Sequence, residues 1–307
     1  MEFEMNRKLT SNGFEIDMSP SHFGWLNDSS DLLDNDIALC ERMAKDGYLY
    51  LPNYIDVISI RKARDAVFED LVNESVLDEN CTVEEIVPKN GIEMRLRTDI
   101  CNKKDSAAKI AIDQLTGSSR ILTLLCRLLG GPVKRFEWMW LRAMTPGKGT
   151  APHCDIVFMG RGTTNIYTAW IPLGNINLQV GGLIILEGSH RCEILRKGYC
   201  TMDVDAICTN MNNQSQPNAA GYPGYGAIAL DITQLQKELN CRLLTAREYK
   251  MGDFVIFSAY TVHGSLDNLS REIRLSVDTR YQLESESIDE RWATGDPSTR
   301  VVKNMIC

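Results

Sequence analysis

The chain has 307 residues, 44% of them hydrophobic and 24% charged, with a net charge of −8. That length allows one large domain or two small ones, and the composition is that of an ordinary globular protein. The acidic balance excludes a general nucleic-acid binder, which carries a basic stripe, and no apolar run approaches the roughly 18 residues of a membrane helix.

Residues 1–34 are polar and rich in Ser and Asp, with Phe23 and Trp25 as isolated apolar anchors, and read as an N-terminal arm or a flap. The run from Met1 to Asn6 lacks the apolar centre of a secretion signal, and the ten Cys form no Cys-x-x-Cys pair. Reduced thiols and a cytoplasmic location are therefore expected. Asp34 or Asn35 is placed to cap a helix over 36–45, ended by Gly47, and 48–51 reads as a strand stopped by Pro52. Asp56 caps a second helix predicted to run to about Leu77, with Val57, Ile60, Ala63, Val67 and Leu71 on one face. Arg95-Leu96-Arg97 alternates as on a strand. Helices follow over 104–115 and 118–129, the second stopped by Gly130-Gly131-Pro132.

The character changes at Val133. Short β-rich runs alternate with turn residues, as in a sandwich of two sheets. Strands are predicted over 133–143, 155–159, 166–171, 182–187, 227–231, 241–248, 254–258, 260–263 and 272–282. Residues 192–226 break the pattern with Asn, Gln, Pro and Gly, an insertion that reads either as a lid or as a solvated loop. The expected organisation is an arm over 1–34, a single domain over 35–290 (helical over 35–130, β-rich over 133–282) and a tail over 291–307.

Among only four His, two stand where chemistry needs them. In His153-Cys154-Asp155, extended backbone would turn His153 and Asp155 to one face and Cys154 to the other. His263, on a neighbouring strand, completes two imidazoles and one carboxylate. That set binds Fe(II) on one face and leaves the opposite positions open for a co-substrate and O2. Downstream, Arg274 can fork onto a carboxylate, and Ser276, two residues on, faces the same way. These residues point to an oxygenase fed by a 2-oxo acid. Gly147-Lys148-Gly149 lacks the spacing of a phosphate loop, and there is no Gly-x-Ser-x-Gly elbow.

The chain resembles the phytanoyl-CoA dioxygenase-like branch of the non-haem Fe(II)/2-oxoglutarate oxygenases over about residues 36–282. The matching segments are Asp46 to Pro52, Pro152 to Asp155, Tyr167 to Leu173, Gly181 to Arg191, Gly252 to Phe257, and His263 through Arg274. Glu187 stands where the family carries Pro, and Gly181-Gly182 where it carries Asn-Gly. The resemblance implies a mainly β fold with flanking helices around a double-stranded β-helix, a cupin-like jelly roll. It assigns His153, Asp155 and His263 to the iron and Arg274 to 2-oxoglutarate. Trp170 resembles an aromatic that walls the co-substrate pocket, or it is a plain core residue, and His190 resembles a structural feature of the family. Related halogenases carry a small residue in place of the carboxylate. Asp155 therefore implies hydroxylation, desaturation or oxidative cyclisation rather than halogenation, with hydroxylation of an unactivated C–H bond of a small molecule of specialised metabolism foremost and succinate and CO2 as co-products. Desaturation, oxidative cyclisation, epimerisation and a silent ligand-binding module are the alternatives. Arg142 is placed to face the pocket, and Arg95 and Arg97 read either as an anion-binding pair or as a solvated face. A monomer or homodimer with no nucleic-acid or membrane partner is expected.

Overall fold

The computed structural model describes residues 8–204 and 226–293. Its strands are β1 (Thr10–Ser11), β2 (Phe14–Glu15), β3 (Phe23–Trp25), β4 (Tyr48–Leu51), β5 (Val133–Arg135), β6 (Trp140–Met144), β7 (Tyr167–Pro172), β8 (Ile176–Asn177), β9 (Leu183–Leu186), β10 (Leu243–Thr245), β11 (Glu248–Tyr249), β12 (Phe254–Ser258), β13 (His263–Ser265) and β14 (Arg274–Leu283). The helices are α1 (Asp36–Asp46), α2 (Val57–Asn73), α3 (Thr98–Cys101), α4 (Ala107–Thr116), α5 (Ser119–Leu129), α6 (Ile156–Met159), α7 (Glu193–Lys197) and α8 (Ile232–Leu239).

Two sheets carry the architecture. The larger runs β4-β12-β7-β14-β5, with β6 also paired to β14, and the smaller runs β13-β9-β10-β3. Period-two alternation sorts the side chains of the larger sheet. Leu49, Leu51, Ala169, Ile171, Phe254, Ile256, Leu275 and Val277 pack outward against the helices, in one core with Ile60, Val67, Ile112 and Leu125. Trp170, Val255 and Phe257 point the other way and meet Leu183, Ile185 and Leu244 of the smaller sheet. The space between the sheets is where the site lies.

Local chemistry sets the helix ends. The Asn35 side chain accepts the Ala38 N–H, and Gly47 closes α1 at φ 78°. A Cβ at Gly47 would lie 2.3 Å from the His190 ring, so close packing also requires glycine there. Asp56 caps α2, which ends at Asn73 rather than Leu77 because Ser75 turns the chain at φ 58°.

Several sequence expectations are corrected. The strand foreseen over 155–159 is instead α6, with Asp155 at its N-terminal end: a strand cannot be told from a helix by periodicity in a short apolar run. The run 133–143 divides into β5 and β6, as the chain bulges between them to bury Phe136 and Met139. The run 241–248 divides into β10 and β11, and the strand foreseen over 260–263 begins at His263. Residues 227–231 are not a strand. They lead to Asp231, which caps the unforeseen helix α8 by accepting the Thr233 and Gln234 N–H groups. Arg95-Leu96-Arg97 contributes a single bridge, Leu96 to Arg142. Within the arm, β3 pairs in parallel with β10, and Leu9, Ile16 and Phe23 are buried, so that part is a strand of the sheet rather than a free flap. The foreseen insertion begins with α7; its residues 205–225, like 1–7 of the arm and 294–307 of the tail, lie outside the described residues. No helix among the described residues is long and apolar enough to cross a membrane.

Candidate metal centre and its cavities

His263 opens β13, and His153 lies beside it. The two residues exchange backbone hydrogen bonds of 3.0 Å each way, and their rings stand 4.2 Å apart. Two glycines permit this close approach. A Cβ at Gly264 would lie 2.6 Å from the Thr150 carbonyl, and one at Gly149 would lie 2.3 Å from that of Ser265. Asp155 joins the pair by a route other than strand alternation. Its backbone is already helical (φ −66°, ψ −26°) at the start of α6, and this turn swings the carboxylate back over the imidazoles. Nε2 of His153 and of His263 lie 3.8 and 3.7 Å from Asp155 Oδ1, and all three ligand atoms fall within 4.8 Å of one another. Cys154 points away, its thiol donating to the Tyr260 carbonyl at 3.3 Å.

The donor set fits a divalent cation. Each imidazole is oriented through Nδ1, at 2.9 Å from the Ala151 carbonyl for His153 and 3.0 Å from that of Thr261 for His263. With Nδ1 protonated to make that bond, Nε2 presents a lone pair. Burial, reinforced by the neighbouring His263 ring, pushes His153 down to about 3, and burial lowers His263 as well, so both rings are neutral ligands. Burial alone would raise the Asp155 carboxyl, but Arg280, the two imidazoles and the Thr168 hydroxyl hold it well below the usual carboxylate range. Oδ2 accepts from Thr168 Oγ1 at 2.5 Å and from Arg280 Nη2 at 2.8 Å, which leaves Oδ1 to face the imidazoles.

Behind Asp155 runs a buried chain of charge. Arg280 Nη1 lies 2.7 Å from Asp278 Oδ2, close enough for an ion pair although neither atom makes an aligned hydrogen bond. Asp278 Oδ1 accepts from Arg142 Nε at 2.8 Å. Sequence reasoning missed Arg280, Asp278 and Thr168. For Arg280 and Asp278 the signal lay in Arg274-x-Ser276-x-Asp278-x-Arg280, a period of two in charged or hydroxyl side chains along β14; Thr168 carried none.

Two cavities meet at His153. One is narrow, about 20 Å³, and is lined by His153, His263, Trp170, Phe257, Arg142 and Arg274. Arg274 is buried there, with Nη1 donating to the Gly181 carbonyl at 2.7 Å and Nε unpartnered. Burial, with the like charge of Arg142, lowers Arg274 to about 9, so an arriving anion would relieve a destabilised cation. Trp170 is a cavity wall, edge-on to Tyr249 at 4.8 Å. The Ser276 hydroxyl is buried without a partner but does not line this cavity. The unpartnered groups of Arg274 and Ser276 suit a carboxylate. The space holds roughly one water, so a five-carbon diacid needs its neighbours to move aside.

The second cavity, about 640 Å³, opens on the other side of His153 and Asp155 and is mostly apolar, with Trp140, Phe158, Met159 and Trp292 among its walls. Arg95 lines it, whereas Arg97 is engaged by Glu74 and Asp99. His190 donates Nε2–H to the Ala44 carbonyl and His22 hydrogen-bonds to Ser19, both away from the metal centre.

Comparison with known proteins agrees with this geometry. The sequence model described as phytanoyl-CoA dioxygenase (PhyH) matches residues 43–276. The 1-deoxypentalenic acid 11-beta-hydroxylase of Streptomyces exfoliatus is 25% identical over 268 residues, 83% of this chain and 84% of the relative. Two crystal structures share the fold. The epimerase SnoN in complex with Fe3+, alpha ketoglutarate and nogalamycin RO has a TM-score of 0.55 at 20% identity, covering 83% of this chain and 86% of its own. EctD from S. alaskensis with 2-oxoglutarate and 5-hydroxyectoine has a TM-score of 0.55 at 16% identity, covering 98% and 96%. The match to the family model spans well over half of the sequence, and the chain therefore belongs to the phytanoyl-CoA dioxygenase family, the non-haem iron and 2-oxoglutarate oxidoreductases.

Proposed function

We propose that this chain hydroxylates an unactivated C–H bond of a small molecule, using Fe(II), 2-oxoglutarate and O2 and releasing succinate and CO2. The observation that carries the reading is the convergence of two neutral imidazoles and one carboxylate oxygen where a narrow cavity holding the buried Arg274 meets a wide, mostly apolar one. On this reading the two sheets form a jelly roll and residues 35–290 act as one oxygenase domain. His153 and His263 hold the metal through Nε2 and Asp155 through Oδ1 alone, because Arg280 and Thr168 occupy Oδ2. The bound iron supplies the redox chemistry that couples decarboxylation of the 2-oxo acid to C–H oxidation.

The chain's own residues do the rest. Arg274 forks onto the distal carboxylate of the co-substrate and Trp170 bounds that side, while the Ser276 hydroxyl, which does not line the cavity, is reached only once neighbouring side chains move aside. The apolar walls of the wide cavity exclude water from the metal face and fix which C–H bond approaches it. The relative named as a hydroxylase supports hydroxylation. SnoN, an epimerase of the same fold, supports epimerisation or another oxidative outcome as the second reading.

The test is anaerobic addition of Fe(II) and 2-oxoglutarate to the purified protein. A weak visible charge-transfer band from the chelated keto acid is expected, and it should be lost in His263→Ala. No band, with neither component retained, would leave a ligand-binding module without catalysis.

A further inference from the structure

The wide cavity has a chemical polarity of its own. Trp140 and Trp292 form its firmest wall, with rings 5.0 Å apart. Trp292 Nε1–H is tied to the Phe158 carbonyl at 3.0 Å, and the Arg280 guanidinium braces Trp140 from 4.0 Å. The two indole planes are inclined at 52°, and such an already fixed aromatic corner favours a rigid apolar body of ring size, for which about 640 Å³ is room.

Three guanidinium groups line the same cavity. Arg280 and Arg142 are engaged by Asp155 and Asp278. Arg95 makes no ion pair among the described residues. Its Nη1 donates to the Lys148 and Gly149 carbonyls at 2.9 and 3.4 Å, which anchors the group and leaves Nε and Nη2 for a ligand. Arg95 is also the exposed member of the three, so its charge stands on the solvent side of the cavity. In a chain of net charge −8, this is a local attractor for an anion. One forked guanidinium matches one carboxylate. The several phosphates of a coenzyme A thioester would need more cations than Arg95 alone supplies.

We infer that the substrate is a free, ring-bearing apolar carboxylic acid, held by Arg95 at the mouth and by the Trp140–Trp292 wall within, and not an acyl-CoA. This rests on the oxygenase reading above. It carries a regiochemical consequence: with the acid at the mouth, the carbon beside His153 and Asp155 is remote from the carboxylate.

Anaerobic titration calorimetry on the protein loaded with Fe(II) and 2-oxoglutarate tests the inference, with adamantane carboxylic acid, its methyl ester and its coenzyme A thioester as probes. The acid is expected to bind about tenfold more tightly than the ester, the scale of one charge-assisted hydrogen bond. Arg95→Gln should bring the acid down to the ester, and Arg95→Glu should reverse the preference. Trp292→Ala should weaken acid and ester alike. Equal binding of acid and ester, tightest binding of the thioester, no binding of any probe, or acid preference surviving in Arg95→Gln would each overturn it. The keto-acid band recorded before each titration separates the two levels. If the band is absent, the oxygenase reading fails and this inference with it; if it is present without acid preference, this inference alone fails.

Discussion

The two faces of β14 differ as much as any two regions of the molecule. Leu275, Val277 and Tyr281 look toward the helices and lie in the large core, where the Tyr281 hydroxyl donates to the Thr116 carbonyl at 2.6 Å. Arg274, Ser276, Asp278 and Arg280 look between the sheets, equally buried but polar. Burying each large apolar side chain contributes roughly 1.5–3 kcal/mol. Burying a charge costs free energy unless a partner offsets it, and even a paired charge seldom gains over a hydrophobic replacement. One face therefore stabilises the fold, while the other is a cost that the fold carries for chemistry. The proposed metal ligands His153, Asp155 and His263, all buried, extend the costly side, so substitutions on the two faces should separate stability from cofactor binding.

The largest effect is expected from His263→Ala, which removes a proposed ligand whose ring, among the described residues, is held by the Thr261 carbonyl, neighbouring rings and Asp155. Iron retention after gel filtration should fall to background and turnover with it, while the circular dichroism spectrum stays that of the parent. Retained stoichiometric iron would break the assignment. Next comes Arg274→Ala. Truncating one partner of a buried charged pair costs roughly 2–5 kcal/mol, so 2-oxoglutarate should bind at least about thirtyfold more weakly, measured by titrating the visible band with iron still bound. An unchanged titration would place the co-substrate elsewhere.

Leu275→Ala probes the opposite face. Large-to-small changes in a core cost roughly 2–5 kcal/mol, and Leu275 is 1% exposed. Denaturant melts should shift by that amount, yet the folded variant should still give the keto-acid band with parental 2-oxoglutarate affinity. Loss of the band in the folded variant would mean that the two faces are coupled and the comparison is false.

The same contrast explains what the sequence made legible. His153, Asp155 and His263 could be picked out because so few His occur and because a carboxylate two residues from one of them limits the chemistry. The backbone that unites them could not, since the Ile156–Met159 run reads equally as strand or helix and only tertiary contacts decide. Arg280 and Asp278 lie within a foreseen strand and share the face of Arg274 and Ser276, but the partner that gives them a role, Asp155, is set by tertiary contacts and not by alternation. The Asp231 cap announces α8, but the apolar run Ala227 to Leu230 before it reads equally as a strand. Trp292 carries no periodic signal: its place in the wide cavity depends on contacts with Trp138, Trp140 and Phe158, far away in the chain. Packing onto distant elements is the part of a site that local pattern does not encode.

The smallest and most discriminating effect belongs to Thr168→Val, a nearly isosteric change at a buried position of β7. The Thr168 hydroxyl touches no proposed metal ligand atom; it holds Asp155 Oδ2, opposite the oxygen that faces the imidazoles. Arg280 still grips the same oxygen, so the carboxylate stays in place but with more freedom to rotate toward bidentate binding. Loss of a hydrogen bond that orients a ligand typically costs 10–100-fold in metal affinity, and the lower end, about tenfold, is expected here. The melting transition should move by no more than the roughly 1–3 kcal/mol of a lost buried hydrogen bond, and toward the lower end, because Arg280 still satisfies Asp155 Oδ2. Competition for Fe(II) against a chelator of known affinity, with the melt run in parallel, measures both quantities. Iron affinity unchanged from the parent would show that Arg280 alone sets the carboxylate. A large drop in stability with unchanged affinity would move Thr168 from the polar side of the comparison to the packing side.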